Sequence, residues 1–243
     1  MSLLEVDGVA KAFGSLKAVD GVSFKVEAGE IFGVAGPNGS GKSTLFNTIS
    51  GIPFGPDRGT IRFDGTEIQT LRGHQIARLG LARTFQRETA FDGLTVFENA
   101  LMGATFGGAD PSTAAEAAAE ALAFVGFDAA SLGRSAGELS VFQRKCLMLG
   151  TAIAMKPKML LLDEPASSLT KPEIDSTIGL IRRIAARGIT ILLIEHVLTL
   201  LMSLSQHLLV LNEGTVLAQG DPREVVADPR VVEAYLGSRK VST

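Results

Sequence analysis

The sequence is poor in the residues that form disulfides and aromatic cores. Its 243 residues include one cysteine, one tyrosine and no tryptophan, and aromatic residues make up only 6%. The single cysteine, Cys146, excludes an internal disulfide framework and a CxxC metal or redox pair, so we expect a buried bystander. With 46% hydrophobic residues and 27 glycines, the composition is typical of a tightly turned α/β enzyme with a sizeable core.

Long runs of basic or of apolar residues are also missing. The net charge is −3 and Lys and Arg are not clustered, which argues against a nucleic-acid partner. The densest apolar segments, residues 189–194 and 197–204, are separated by Glu195 and His196 and fall short of the roughly 18 residues that span a bilayer. The first residues lack the pattern of a signal peptide. We therefore expect a cytoplasmic chain that reaches a membrane through a partner.

Apolar patterning in the first part of the chain predicts strands. Roughly the first 30 residues alternate between apolar and polar, which predicts short antiparallel strands with a turn at Asp20-Gly21. An apolar strand over residues 31–35 leads through a glycine-rich turn into a helix that begins near Lys42. A further strand pair is predicted over residues 59–68, where Asp64-Gly65 supplies the turn.

The second part of the chain changes character. Alanine-rich helices are predicted over residues 95–154 as an insertion. Two strongly apolar strands, over residues 159–162 and 189–194, flank a helix over residues 171–187. The tail predicts a hairpin at Asn212-Glu213-Gly214, followed by two short helices. The chain is therefore predicted to have an α/β fold.

A phosphate-binding loop is the strongest motif in the sequence. The G-x-x-x-x-G-K-[ST] pattern, between a predicted strand and a predicted helix, is matched by Gly36, Pro37, Asn38, Gly39, Ser40, Gly41, Lys42, Ser43 and Thr44. Successive N–H groups of such a loop point at phosphate oxygens. We expect Lys42 to reach the β- and γ-phosphates of ATP and the Ser43 hydroxyl to bind Mg²⁺. A chance glycine turn is the competing interpretation.

Two carboxylates, Asp163 and Glu164, end a predicted buried strand. Acids in such a place are costly unless they meet a cation or transfer a proton. Asp163 suits the water shell of Mg²⁺, and Glu164 suits a general base that polarises the attacking water. Taken alone, an apolar strand that ends in Asp-Glu is ordinary, but together with the phosphate loop it forms a matched pair.

Gln86 and His196 carry little weight individually. A histidine at a strand end is more often a surface or core residue than a catalyst, and a glutamine after an aromatic is usually a strand or turn residue. Their place in the chain order gives them meaning. The order is phosphate loop, Gln86, an L-S-x-x-Q segment at residues 139–143, Asp163-Glu164 and then His196.

This order resembles the ABC ATPase family over nearly the whole chain. Three segments are also similar to the ATPases of branched-chain amino acid importers: ARTFQ at residues 82–86, LTVFEN at residues 94–99 and EAYLG at residues 233–237. The resemblance implies a single domain over residues 3–238. That domain would consist of a P-loop NTPase core, an antiparallel β subdomain and a helical subdomain at about residues 95–154.

The resemblance also implies partners and a location. The chain would hydrolyse ATP for integral membrane permease subunits, and indirectly for an extracytoplasmic solute-binding protein. It would lie at the cytoplasmic face of the inner or plasma membrane. Two ATPase subunits would face each other head to tail, so that each ATP lies between the phosphate loop of one chain and the signature loop (residues 139–143) of the other.

Further residue roles follow from the resemblance. Phe13 would stack on adenine, the alternative being a core strand phenylalanine. Gln86 would touch Mg²⁺ or the attacking water, and His196 would contact the γ-phosphate. Ser140, in the signature loop, would contact the ATP of the partner subunit. The segment at residues 87–101 would receive a coupling helix from a permease.

The signature loop departs from the family pattern. The family has Leu-Ser-Gly-Gly-Gln, whereas Val141 and Phe142 fill both glycine positions here. The backbone at the second glycine closely approaches the partner's γ-phosphate, so we expect the Phe142 ring to block that approach. The arginine of the following helix and the D-loop aspartate are replaced by Thr151 and Thr170.

This division of changes predicts an asymmetric pair. The residues that hold the chain's own ATP are intact, while the altered positions are those offered to a partner. We therefore predict a heterodimer with a second ABC ATPase rather than a homodimer. Two alternatives stay open: a soluble ABC ATPase that powers an assembly or repair complex, and a nucleotide-binding regulatory module without turnover. The lack of a basic face argues against DNA repair, and Glu164 with His196 argues against the module.

Overall fold

The structure is a computed structural model that describes residues 2–85, 90–107, 110 and 112–236. The chain forms two compact units. The first unit contains the described residues of ranges 1–73 and 190–243, and the second contains those of range 74–189. No helix within the described ranges is long and apolar enough to cross a bilayer.

Strands and helices are interspersed along the chain. The strands are β1 (Ser2–Phe13), β2 (Leu16–Glu27), β3 (Ile31–Ala35), β4 (Arg58–Phe63), β5 (Thr66–Glu67), β6 (Leu81–Arg83), β7 (Met159–Asp163), β8 (Thr190–Ile194), β9 (His207–Asn212) and β10 (Thr215–Gly220). The helices are α1 (Lys42–Ser50), α2 (Gly73–Arg78), α3 (Val96–Phe106), α4 (Ala114–Val125), α5 (Val141–Ala154), α6 (Lys171–Ala186), α7 (Leu198–Leu204), α8 (Pro222–Ala227) and α9 (Pro229–Leu236).

The first unit contains an antiparallel sheet in the order β2-β1-β4-β5. The prediction of short strands over roughly the first 30 residues was wrong in length, because β1 and β2 each have 12 residues. Asp20-Gly21, predicted as a turn, lies inside β2. Gly8 and Gly21 have φ of 57° and 72°, and the pairing register shifts between Val6 and Val9. Such bulges let one strand continue where the sequence pattern suggests a break.

A second sheet of the first unit places β3 between β9 and β8. Both neighbours run parallel to β3, and β10 pairs antiparallel with β9. All five residues of β3 are buried, which explains the continuous apolar run. The predicted hairpin between β9 and β10 is confirmed, with Glu213 and Gly214 at φ of 48° and 79°. Two positive φ values are typical of the turns that connect tight hairpins.

The second unit combines a parallel strand pair with packed helices. Strands β6 and β7 pair from Leu81↔Met159 to Arg83↔Leu161. The helices α3, α4 and α5 all lie within the range predicted to be helical. Helix α3 begins with a capping box in which Thr95 and Glu98 bond reciprocally, a strong start signal. The helix predicted over residues 171–187 is confirmed as α6, and Gly188 follows it at φ of 83°.

Candidate nucleotide-binding site

The predicted phosphate loop lies between the buried strand β3 and the helix α1, as its sequence required. Gly36, Gly39 and Gly41 have φ of 147°, 80° and 105°, in the region that favours glycine. A Cβ at Gly41 would lie 2.2 Å from the Ala18 carbonyl oxygen, and one at Gly36 would lie 2.3 Å from that of Leu211. The loop therefore curls where side chains have no room.

Lys42 points back into this curl. Its Nζ donates to the carbonyl oxygens of Gly36 at 2.7 Å and Pro37 at 3.0 Å. Lys42 as a whole is only 7% exposed, so carbonyl dipoles hold its ammonium where little water reaches it. A phosphate group can take over these contacts because it offers full negative charge to the same amine.

The outer rim of the loop is open. Asn38, Gly39 and Ser43 are exposed, while Pro37 and Thr44 are half-buried. Helix α1 begins after Gly41 without a side-chain cap. Its first N–H groups are thus not taken by a capping side chain, which is the arrangement that binds anions at helix N-termini.

Phe13, the predicted adenine-stacking residue, lies at the end of β1. The residue is 46% exposed, so the alternative of a core phenylalanine was wrong. The ring packs edge-on against Phe54 with centroids 5.2 Å apart, and Lys11 Nζ lies 5.8 Å from its centroid. An exposed aromatic ring that is fixed by a neighbouring ring can stack on the adenine base of a nucleotide.

His196 follows strand β8 in the first unit. Its side chain is 53% exposed, and Nδ1 lies 3.8 Å from Oε2 of Glu195, which is fully buried. Of the two competing interpretations, a core histidine is excluded by this exposure, and a surface histidine stays open. The sequence patterns gave Glu195 no role beyond ending an apolar run. The Glu195 carboxylate is completely buried although the neighbouring imidazole is exposed.

Asp163, at the end of β7 in the second unit, is held by a cation. Arg83 Nη2 donates to Asp163 Oδ2 at 3.1 Å, and the Arg83 guanidinium also lies over the Phe85 ring at 4.9 Å. Burial lowers the pKa of Arg83, while the Asp163 carboxylate raises it. Arginine nevertheless stays charged because its ordinary pKa is so high.

Glu164 occupies a strained backbone position. Its φ is 49°, in a region that costs a residue other than glycine about 1–3 kcal/mol. Lys145 Nζ donates to the Glu164 carbonyl oxygen at 3.3 Å and to Ser167 Oγ at 3.0 Å. A buried lysine thus fixes the turn that presents the half-buried Glu164 carboxylate.

The signature loop leads into α5 in the second unit. Ser140 is the N-cap: its Oγ accepts from the Gln143 N–H at 3.3 Å, and Gln143 Oε1 accepts from the Ser140 N–H at 3.1 Å. Val141 is exposed and Phe142 is half-buried. Arg144 closes the loop by pairing with Asp92 at 2.6 Å. The Ser140 hydroxyl therefore caps the N-terminus of α5 within its own chain.

One predicted site residue cannot be placed, and two site residues were not predicted. Gln86, predicted to be catalytic and to bind metal, lies outside the described residues. Arg83 and Lys145 were missed as site residues. Arg83 lies in β6, a strand that the sequence patterns did not predict, so its burial beside an acid had no local signal.

A strand that ends in this loop, with its lysine folded inward, defines a P-loop nucleotide-binding protein. The ABC transporter family matches residues 19–167, more than half of the chain. A second family, the branched-chain amino acid ATP-binding cassette transporter, matches residues 215–241. The chain therefore belongs to the ABC transporter family, and the predicted fold class and ATPase class are confirmed.

Relatives of nearly full length support this assignment. The chain is 40% identical to the high-affinity branched-chain amino acid transport ATP-binding protein BraF of Pseudomonas aeruginosa, over 97% of this chain and 98% of the relative. It is 37% identical to LivG of Salmonella typhimurium, with coverage of 97% and 98%. A nucleotide-free ATP-binding cassette from an ABC transporter superposes with a TM-score of 0.89 at 33% identity, covering 98% of this chain and 100% of the other.

Proposed function

We propose that this chain hydrolyses ATP to energise a membrane importer for branched-chain amino acids or a related solute. The observation that carries the proposal is the phosphate loop, in which Lys42 Nζ is held by carbonyl oxygens and the rim is open. Near full-length similarity to BraF and LivG, both named as branched-chain amino acid transport proteins, supports the solute class.

In this proposal the residues of the first unit hold the nucleotide. Phe13 stacks on adenine, the loop N–H groups bind the phosphates, and Lys42 exchanges its carbonyl partners for the β- and γ-phosphates. His196 contacts the γ-phosphate. The partly exposed Phe13 and His196 side chains support these roles, because each has a face open to a ligand.

The residues of the second unit carry the hydrolytic step. Glu164 accepts a proton from the water that attacks the γ-phosphate, and the phosphorus–oxygen bond to ADP breaks as the new bond forms. The turn held by Lys145 supports this role, because a general base must be fixed to act efficiently. Gln86 is proposed to orient the same water.

The proposed Mg²⁺-binding residues are Ser43, Asp163 and Gln86. Ser43 offers an exposed hydroxyl at the start of α1, and hydroxyl, phosphate and water oxygens are the ligands that Mg²⁺ takes. The Asp163 carboxylate lies beside Arg83 and would accept hydrogen bonds from the water molecules around Mg²⁺. When bound, Mg²⁺ would share the negative charge that develops on the transferred phosphate.

A groove in the second unit is the proposed site of the permease coupling helix. It has a volume of about 290 Å³ and mostly apolar walls that include Phe85, Phe91, Met148 and Met155. A groove of this kind accepts the apolar face of a short helix. It lies beside the described part of the segment at residues 87–101 that was predicted for this contact. Through it the chain would sit at the cytoplasmic face of the membrane, with a solute-binding protein acting on the other side.

The altered signature loop supports an unequal pair of ATPases. Val141 is exposed at the first turn of α5, so a bulky group lies on the surface of the loop. We propose that this chain hydrolyses ATP on its own phosphate loop against the intact signature of a second ABC ATPase. The site completed by Ser140 and Phe142 would then be weak.

Transport assays with chosen variants test the main proposal. The chain, its permeases and its partner ATPase would be purified together and placed in proteoliposomes with labelled leucine. We expect Glu164→Gln to lower ATP turnover and uptake by about 100-fold or more while ATP still binds. Lys42→Ala should abolish ATP binding. Lys25→Ala, at an exposed lysine of β2, should leave ATP binding, turnover and uptake unchanged.

The alternatives predict different outcomes of the same experiment. Unchanged hydrolysis in Glu164→Gln would favour a regulatory module without turnover. Purification without any integral membrane protein would favour a soluble assembly ATPase. Brisk turnover by the isolated chain would contradict the unequal pair, whereas a rise in turnover of the pair with Phe142→Gly would support it.

A further inference from the structure

The C-terminal helix contacts the phosphate loop through one side chain. The backbone N–H of Gly36 donates to the Tyr235 hydroxyl at 2.7 Å, across 199 residues of sequence. Gly36 is the first residue of the loop, and Tyr235 lies in the last turn of α9. Both residues belong to the first unit. No role was assigned to Tyr235 from the sequence.

Helix α9 is anchored so that Tyr235 has a defined position. Asp228 precedes the helix, and its Oδ1 accepts from the Arg230 N–H at 2.8 Å. Val231 is 1% exposed and lies four residues before Tyr235, on the same face of the helix. The packing of Val231 therefore brings the Tyr235 ring onto the loop.

The Gly36 peptide takes part in two of the loop's contacts. Its carbonyl oxygen accepts from Lys42 Nζ at 2.7 Å, while its N–H is the group held by Tyr235. A Cβ there would also lie 2.5 Å from Ser40 Oγ. A rotation of this peptide would therefore move both the loop backbone and the resting place of the lysine.

The tail of the first unit holds the loop at a second point. The Gly214 N–H, in the β9–β10 turn, donates to the Ser40 carbonyl oxygen at 3.0 Å. Residues near both ends of the loop, Gly36 and Ser40, are thus tied to the C-terminal part of the chain. Hydrogen-bond donors that are fixed before a ligand arrives bind it more tightly, since less ordering is needed on binding.

We propose that Tyr235 is a positioning residue for ATP, and that its hydroxyl fixes the Gly36 peptide so that α9 sets the nucleotide affinity of the phosphate loop. The proposal rests on the proposed function of that loop. Burial raises the pKa of the Tyr235 hydroxyl, although the Gly36 N–H opposes the shift. The phenol therefore stays neutral at ordinary pH and keeps its acceptor role.

A binding and kinetic comparison of Tyr235→Phe with the unaltered chain tests the proposal. The variant keeps the ring and removes only the oxygen. We expect Kd for a non-hydrolysable ATP analogue, and KM in the assembled transporter, to rise by about three- to tenfold, the equivalent of one hydrogen bond. The kcat should change less than twofold. Val232→Ala, an exposed position on the same helix, should change none of these values.

The tyrosine itself supplies a second measurement. The chain has one tyrosine and no tryptophan, so incorporation of 3-fluorotyrosine gives a single ¹⁹F resonance, from position 235. We expect this resonance to shift when Mg²⁺ and ATP are added, and not to shift in Lys42→Ala.

The possible results separate this proposal from the function on which it rests. Failure of the unaltered chain to bind ATP would overturn the proposed function and this inference with it. Normal binding by the unaltered chain, with an unchanged Kd in Tyr235→Phe, would overturn the inference alone. The same holds for a loss of stability in Tyr235→Phe without any change in Kd or KM, since that result would show that the hydrogen bond only stabilises the fold.

Discussion

Arg83 and Asp163 form an ion pair, with Nη2 and Oδ2 3.1 Å apart and side chains only 6% and 5% exposed. Asp163 is the carboxylate proposed to contact the water shell of Mg²⁺, and a buried carboxylate is costly unless an opposite charge lies beside it. The Arg83 guanidinium supplies that opposite charge at hydrogen-bond distance. The site thus carries its own counter-ion.

Removal of that counter-ion should destabilise the protein. We expect Arg83→Ala to lower the free energy of unfolding by about 3–5 kcal/mol, the usual effect of leaving one charge of a buried pair behind. Urea unfolding measures the change. Arg62→Ala is the matched control, because Arg62 pairs with Glu67 at 2.8 Å on the surface and exposed pairs contribute little. A loss in Arg83→Ala as small as that of the control would contradict the prediction.

The strained backbone of Glu164 should separate stability from activity. At its φ of 49°, glycine is more favourable than alanine, so Glu164→Gly should be more stable than Glu164→Ala by about 1 kcal/mol. Both variants should lose hydrolysis. The same two substitutions at Glu120, inside helix α4, should give the opposite order, since glycine weakens a helix. Thermal unfolding of the four variants decides the matter.

Local patterns predicted the parts of the site that local chemistry determines. The loop after β3 was predictable because its glycines and Lys42 must be close together in sequence to act. The β9–β10 hairpin was equally predictable, since the Glu213-Gly214 turn is specified by those residues themselves.

Contacts between distant residues were beyond the sequence patterns. Arg83 and Asp163 are 80 residues apart, and Gly36 and Tyr235 are 199 apart, so no spacing rule joins them. The lengths of β1 and β2 were misjudged for a different reason. Glycine at a positive φ can end a strand or bulge within it, and only pairing with the neighbouring strand decides which.

The N-cap role of Ser140 allows capping to be separated from nucleotide binding. Ser140→Ala should lower the stability of the isolated chain by about 1 kcal/mol, the usual cost of losing an N-cap. Ser140→Asp keeps an N-cap oxygen and should preserve stability. In the assembled pair, however, the negative charge of the aspartate should weaken the binding of ATP to the partner's phosphate loop if Ser140 contacts phosphate. Urea unfolding and the ATPase activity of the pair measure the two effects. Equal stability of the two variants would refute the capping role.

The buried thiol of Cys146 should make stability depend on pH in the alkaline range. Burial raises the pKa of this thiol to about 11, with a smaller opposing effect of Arg183. In the unfolded chain the thiol has its ordinary pKa, so between the two values the unfolded state loses its proton first. The folded state then binds more protons than the unfolded state, and stability falls as pH rises through that window. The loss should reach about 2–3 kcal/mol once the folded thiol also ionises.

Cys146→Ala isolates this contribution because it removes the only thiol in the chain. The difference in unfolding free energy between the unaltered protein and Cys146→Ala should be constant near neutral pH, where the thiol is protonated in both the folded and the unfolded protein. As the pH passes the ordinary thiol pKa, the unfolding free energy of the unaltered protein should fall relative to that of Cys146→Ala. A second measurement is the rate of modification by an aromatic disulfide reagent, since only the thiolate attacks it. Slow modification in the folded protein and rapid modification after urea unfolding are expected, whereas equal rates, or a pH-independent difference in stability, would show that Cys146 is not held as a neutral buried thiol.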